Sequence, residues 1–213
     1  MEQSPHTSCI AFAGSRRVAS GNLVTVARAV SEQMTRTPTE PILIFDDATS
    51  RIIELDLRGS ADAVVARIRA QDAAMDAPST EEMADGSPYR DEPVARGRGR
   101  PKLGVIAREV TLLPRHWAWL ATQPGGASAA VRRLVDAARQ THAASDRRRE
   151  AQDAAYRFMS AMAGNETGFE EATRALFAGD EPRFTSLTTE WPRDVRDHAR
   201  VLASRAFAPA PVA

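Results

Sequence analysis

The residues best suited to chemistry are Arg96-Gly97-Arg98-Gly99-Arg100-Pro101-Lys102. Cations alternating with glycine and proline make an arm that can lie along a polyanion and displace its counterions. The charge around this arm is segregated. The formal net charge of the chain is zero, yet residues 72–95 carry a net −6 and residues 96–139 a net +7. A local basic stretch of that kind is the footprint of a nucleic-acid partner. Arginine richness by itself carries little weight: Lys102 is the one lysine, alanine is abundant, and both are marks of a GC-rich genome.

Other chemistries find less support. His6, His116, His142 and His198 show no metal-ligand spacing with one another, with Cys9 or with a carboxylate. Cys9 sits in an apolar run, where a thiol packs as a small hydrophobe. Asp46, Asp47 and Asp56 can gather near one end of a hairpin, but turn chemistry and a solvated strand face account for them. Ser20-Gly21-Asn22 can hold an anion at a helix start or simply cap the helix. Arg147-Arg148-Arg149, with Asp146, Glu150 and Asp153 nearby, reads as a solvated ion-pair face. No phosphate loop, dinucleotide fingerprint or nucleophile elbow is present. The expectation is a protein that is not an enzyme, with no cofactor and no metal.

The elements that must position the basic stretch follow from periodicity. Residues 1–70 read as a small ββαββα unit. Its strands are Cys9–Ala13, Arg16–Ala19, Ile42–Phe45 and one carrying Ile53, Leu55 and Leu57 on a single face. Its first helix carries Leu23, Val26, Ala27, Val30 and Met34; its second, capped by Ser60, carries Val64, Val65 and Ile68. Residues 71–104, poor in hydrophobics and rich in Asp, Glu, Pro, Gly and Ser, read as a flexible linker. Residues 105–140 read as a strand from Val105 to Leu113, a helix with Trp117, Leu120 and Ala121 on one face, a break at Pro124-Gly125-Gly126, and a helix capped by Ser128 with the stripe Val131, Leu134, Val135 and Ala138. Trp119 is then expected at an interface or near DNA, and Trp117 in the core. Residues 141–213 read as helices. Ala155, Phe158, Met159 and Met162 form one stripe, Thr167 to Glu170 a capping box, Gly179 a stop, and Pro182 and Pro192 mark two further starts. The fold class expected is α+β.

The segment Arg108 to Leu120, then Gly126-Ala127-Ser128 and its helix, resembles the ribbon-helix-helix family of DNA-binding proteins over about 35 residues. It departs from that pattern in its Pro-containing loop and in Leu113, which stands where a capping Ser or Thr is usual. The resemblance implies a homodimer whose paired strands enter the major groove. Val110 and Leu112 would then face the core, while Ala107, Glu109 and Thr111 face the bases and Arg108 adds to the basic contact set. Ser128, at the start of the second helix, would hold a phosphate. Glu109 also repels phosphates, which counts against this. Arg98-Gly99-Arg100-Pro101 matches the core of the AT-hook, a minor-groove clamp, which implies minor-groove or backbone contacts for Arg96, Arg98, Arg100 and Lys102. Nearly the whole chain resembles a bacterial family known as domain of unknown function 2239. That resemblance rests on Ile44-Phe45-Asp46-Asp47-Ala48-Thr49, Leu55-Asp56-Leu57-Arg58-Gly59, Gly99 to Val105 and Ala155 to Gly164, and it implies no activity.

The reading is therefore a homodimeric protein that binds double-stranded DNA, a transcriptional regulator, with a protein partner for the C-terminal helices open by analogy. The alternative is an assembly protein whose module dimerises and never meets DNA. A single cysteine, no apolar run of ~18 residues and a polar Met1–Ser8 lead to the expectation of a cytoplasmic protein without a membrane span or leader.

Overall fold

A computed structural model describes residues 8–76 and 108–208. The chain divides into two compact units: residues 1–77 together with 142–213, and residues 78–141. The described residues are mixed α+β, with a three-stranded antiparallel sheet and seven helices.

The first unit is built on its opening strand. β1 (Ser8–Ala13) turns through Gly14-Ser15 into β2 (Arg16–Asn22), and β3 (Ile42–Asp46) pairs along its other edge, so the order is β2-β1-β3. The β1–β2 register slips at Val18, since Ala11 faces Ala19 while Phe12 faces Arg17. Val18 is thus the extra residue of a bulge. Side chains alternate across a strand. Cys9 and Ala11 join Ile44 under α1 (Leu23–Arg36) and α2 (Ala61–Asp76), whereas Ile10 and Phe12 join Phe45 on the opposite face. That second core is filled by Phe158 and Met159 from the C-terminal part of α4 (Gly126–Ala163), Leu176 from α5 (Phe169–Ala178), Phe184 from α6 (Glu181–Leu187) and Leu202 from α7 (Arg193–Phe207). The segments read from the sequence as an N-terminal and a C-terminal domain share this core.

Three details differ from expectation. The fourth strand is absent: Ile52 makes an isolated bridge to Phe45, and Ile53 N–H still donates to Ile44 O (2.8 Å), but residues 53–58 do not continue the ladder. Two of their carbonyls are taken instead by Arg67 of α2, whose Nη2 donates to Asp56 O (2.6 Å) and Arg58 O (2.5 Å). The alternation nevertheless holds, with Ile53 buried and Leu55 and Leu57 packed against the α1–α2 core. Met34, in the last full turn of α1, is exposed. The capping box at Thr167 is replaced by Gly168, which takes the left-handed conformation (φ 81°) as the N-cap of α5, while Thr167 O accepts from Trp191 Nε1 (3.1 Å).

The expected stops and starts hold elsewhere. Asn22 caps α1 by accepting from Thr25 N–H (2.8 Å), and Ser60 Oγ accepts from Ala63 N–H in the first turn of α2 (3.3 Å). Gly179 ends α5 with φ 78°, under the guanidinium of Arg148, where a Cβ would collide.

Two predictions follow from this packing. Cys9 is buried, and burial, aided by the charges of Asp46 and Asp47, pushes its thiol up to about 11. Native protein at pH 8 is expected to leave this thiol unlabelled by an aromatic disulfide reagent, and denaturant to release one equivalent. Gly179→Ala forces an L residue into the left-handed region and displaces Arg148. A loss of about 1–2 kcal/mol, read as a lower thermal midpoint, is expected.

Candidate nucleic-acid interface

The arm Arg96, Arg98, Arg100 and Lys102, and Ala107 beyond it, lie outside the described residues. The second unit is described from Arg108 onward. Residues 108–113 form no strand. They carry no regular secondary structure up to Leu113, which is extended (φ −67°, ψ 151°) and whose carbonyl accepts from His116 and Trp117 N–H (2.8 and 3.2 Å). The expected strand has no neighbouring strand within the described chain, and an isolated strand has no ladder to form. Pro114 opens α3 (Pro114–Ala121), where its missing N–H costs nothing. Thr122 closes the helix, its Oγ1 donating to Trp119 O (2.8 Å). The chain then turns through Pro124 and Gly125 into α4, which starts at Gly126.

Ser128 was expected at the cap and instead lies inside the first turn of α4, because the two left-handed glycines, Gly125 and Gly126, have already reversed the chain. Its carbonyl accepts from Arg132 Nε (3.2 Å).

The segment 108–113, α3 and the start of α4 border an open groove of about 780 Å³. Val110 and Leu112 line it from the segment, Trp117 and Trp119 from α3, and Leu134 and Val135 from α4. The alternation read from the sequence survives, since Glu109 and Thr111 are exposed and outside this lining. Arg108 and Ser128, however, line the groove, so the expected DNA contacts divide between the groove lining and residues outside it. Trp117 is not a core residue: it is 46% exposed and Trp119 is 49% exposed, while Leu120 is the buried residue of α3. Val110, Leu134 and Val135 are each more than half exposed. The apolar stripe predicted for this helix exists, but nothing in the described unit covers it.

The remaining candidates resolve into structural partners. Asp46 Oδ1 accepts from Ala48 N–H, Thr49 N–H and Thr49 Oγ1 (3.1, 2.7 and 2.7 Å), which is turn chemistry. Asp47 pairs with Arg205 (3.2 Å). Asp56 meets Arg58 through both carboxylate oxygens (2.8 and 2.9 Å), and these bonds hold its carboxyl below the usual range. In the Arg147–Arg149 run, Arg149 pairs with Asp146 (3.2 Å). Among the described residues no three His, Cys, Asp or Glu cluster as metal ligands, and no helix is long and apolar enough to cross a membrane.

Sequence reasoning missed His198. It lies on the buried face of α7 with Val195 and Leu202, three and four residues away, a spacing visible in the sequence once histidine is allowed on an apolar stripe. It also missed Arg157 and Arg205, whose guanidinium groups hold the backbone of the loop after β3, donating to Thr49 O (2.6 Å) and Asp47 O (2.7 Å).

A family model described as "uncharacterized protein conserved in bacteria" (DUF2239) matches residues 8–203. The chain belongs to this family. No curated protein and no solved structure matches it. The family match begins at β1 and ends within α7, so it takes in the sheet, both of its cores and the groove of the second unit.

The exposures are open to direct measurement. In dilute protein, acrylamide is expected to quench Trp117 and Trp119 efficiently and to leave Trp191, which is 3% exposed, largely protected. A Trp191→Phe variant separates the two populations.

Proposed function

We propose that this chain is a homodimeric DNA-binding protein of the bacterial cytoplasm, a transcriptional regulator. A ribbon-helix-helix-like module at residues 105–140 pairs with a second copy, and the Arg-Gly arm grips the duplex backbone or minor groove. The observation that carries this reading is the uncovered apolar face of the module. Val110, Trp117, Trp119, Leu134 and Val135, all lining the groove, each stand about half exposed or more. Large side chains in that state offer on the order of 100 Å² each, or ~500 Å² per copy and ~1,000 Å² across a twofold pair. That reaches the lower bound of specific interfaces. A second copy would also supply what segment 108–113 lacks among the described residues, an antiparallel neighbour.

The charge pattern supports DNA as the ligand. Residues 96–139 carry the net +7, and Glu109 and Thr111 stand on the side of the segment away from the groove, where a ribbon would meet base edges. The first unit is then free to receive a ligand or a protein partner through its C-terminal helices. The second reading, a dimerisation protein that does not bind DNA, rests on the same groove and differs only in the role of the basic stretch.

Fluorescence anisotropy with random and AT-rich duplexes across a salt series tests the proposal. Sub-micromolar binding that weakens steeply with salt is expected, with a loss of ten-fold or more in Arg98→Ala/Arg100→Ala. Leu134→Glu/Val135→Glu is expected to abolish self-association in sedimentation while leaving the melting of the first unit intact. A dimer indifferent to DNA at low salt would replace the regulator by the assembly protein. A monomer at micromolar concentration would remove both.

A further inference from the structure

We propose that α7 is an acid-released element, locked on the sheet by a neutral His198 and freed when that ring takes a proton. This rests on the first unit alone and is independent of DNA binding. One face of α7 meets the three strands in their spatial order. Asp194 accepts from the backbone N–H of Arg17 on β2 (2.8 Å). His198 packs on Phe12 of β1, ring centroids 5.9 Å apart. Arg205 donates to the carbonyl of Asp47, directly behind β3 (2.7 Å), and pairs with its carboxylate (3.2 Å). Spacings of four and seven residues place these side chains on one helix face. The apolar burial between them leans on small residues, Ala199, Ala203 and Ala206, with Val195 and Leu202 as the larger anchors. Small side chains bury little area, so the three polar and aromatic anchors carry a large share of what holds this helix.

The ring of His198 is only 6% exposed. Phe158 of α4 stands edge-on to it at 4.6 Å and Phe12 closes another side. Its Nε2 has no hydrogen-bond partner. The charged groups facing it are Asp47, Arg205 and Arg17. Asp47 is already engaged by Arg205, and Asp194, one turn away on the same helix face, is engaged by the backbone N–H of Arg17, so a proton on the ring would place a buried cation against two phenylalanine rings with no acceptor at Nε2. Burial first, then the two arginines, lower the ring to about 4 from 6.5, against the pull of Asp47. A depressed histidine stabilises the docked state fully above pH 6.5, and that contribution is lost as the pH falls from 6.5 towards 4. At pH 5 these two values imply a docked-to-released ratio about 30-fold lower than at pH 7.5.

Hydrogen exchange read by mass spectrometry on the full chain tests this, with rates corrected for intrinsic exchange at pH 7.5 and pH 5. Amides of α7 are expected to open about 30-fold more at pH 5 than at pH 7.5 in the wild type, those of α1 to stay protected, and His198→Phe, which keeps a ring between Phe12 and Phe158, to lose the pH dependence. Equal pH dependence in wild type and variant overturns the proposal. So does simultaneous loss of protection in α1 and α7, which is global unfolding. Where the variant does not fold, the ring of His198 is titrated by NMR in the wild type: a midpoint below 5 supports the latch, and one near 6.5 in the folded protein overturns it.

Discussion

The burial of β1 on both faces is the constraint from which the first unit follows. A central strand flanked by two others has no solvated side, so each of its alternating residues must belong to a core. Cys9 and Ala11 serve the α1–α2 layer; Ile10 and Phe12 serve the layer made by α4, α5, α6 and α7. Without the second layer, Ile10, Phe12 and Phe45 would stand in water, a cost of roughly 1.5–3 kcal/mol for each large side chain. The helices of residues 142–208 are therefore part of the sheet's fold and not an appendage to it. The aromatic cluster of Phe12, Phe45 and Phe158, with centroids 5.3–6.4 Å apart, is where the two ends of the chain meet.

Arginine takes on work here that composition alone does not reveal. Arg67, Arg157, Arg200 and Arg205 each donate to backbone carbonyls distant in sequence, at 2.5–2.7 Å. Carbonyls outside helices and ladders must find donors, and the forked guanidinium reaches them from a neighbouring helix while its stem packs along the way. The loop after β3 shows the result. Asp46 folds it locally, Arg157 and Arg205 hold it from two helices, and Ser50 is kept buried at φ 52°, a conformation rare for a residue with a Cβ. Arginines that the sequence presents as a coding bias thus serve as tertiary ties.

Much of the local structure was legible. Strand alternation at Cys9–Ala13, the stripe of α1, the Gly179 stop and the proline starts of α6 and α7 all come from periodicity and backbone chemistry, which act within a few residues. What was not legible depends on contacts between distant segments. In the segment expected as a fourth strand the carbonyls of Asp56 and Arg58 accept from Arg67, at the expected capping box Gly168 takes the N-cap in the left-handed conformation, and His198, which shows no metal-ligand spacing, packs on phenylalanines. The candidate site was legible in its pattern, with Val110 and Leu112 on one side and Glu109 and Thr111 on the other. Its degree of cover was not, because cover depends on what packs opposite.

The helix α4 makes that last point within a single element. Its first stripe, Val131, Leu134, Val135 and Ala138, and its later one, Ala155, Phe158, Met159 and Met162, share the same helical period and similar apolar content. The later stripe is closed by a sheet and three helices, with Ala155, Phe158 and Met159 buried. The earlier one stands open, with Leu134 and Val135 half exposed beside two half-exposed tryptophans. Helix propensity and periodicity cannot separate the two, since both stripes obey them. The difference is that the chain supplies an opposing layer to one and none, among the described residues, to the other. Apolar patches of this size facing water are commonly interaction surfaces, since leaving them there forfeits the free energy of their burial. A twofold partner carrying the same stripe is the simplest surface of matching chemistry, and it is the one partner certain to be present wherever this chain is made.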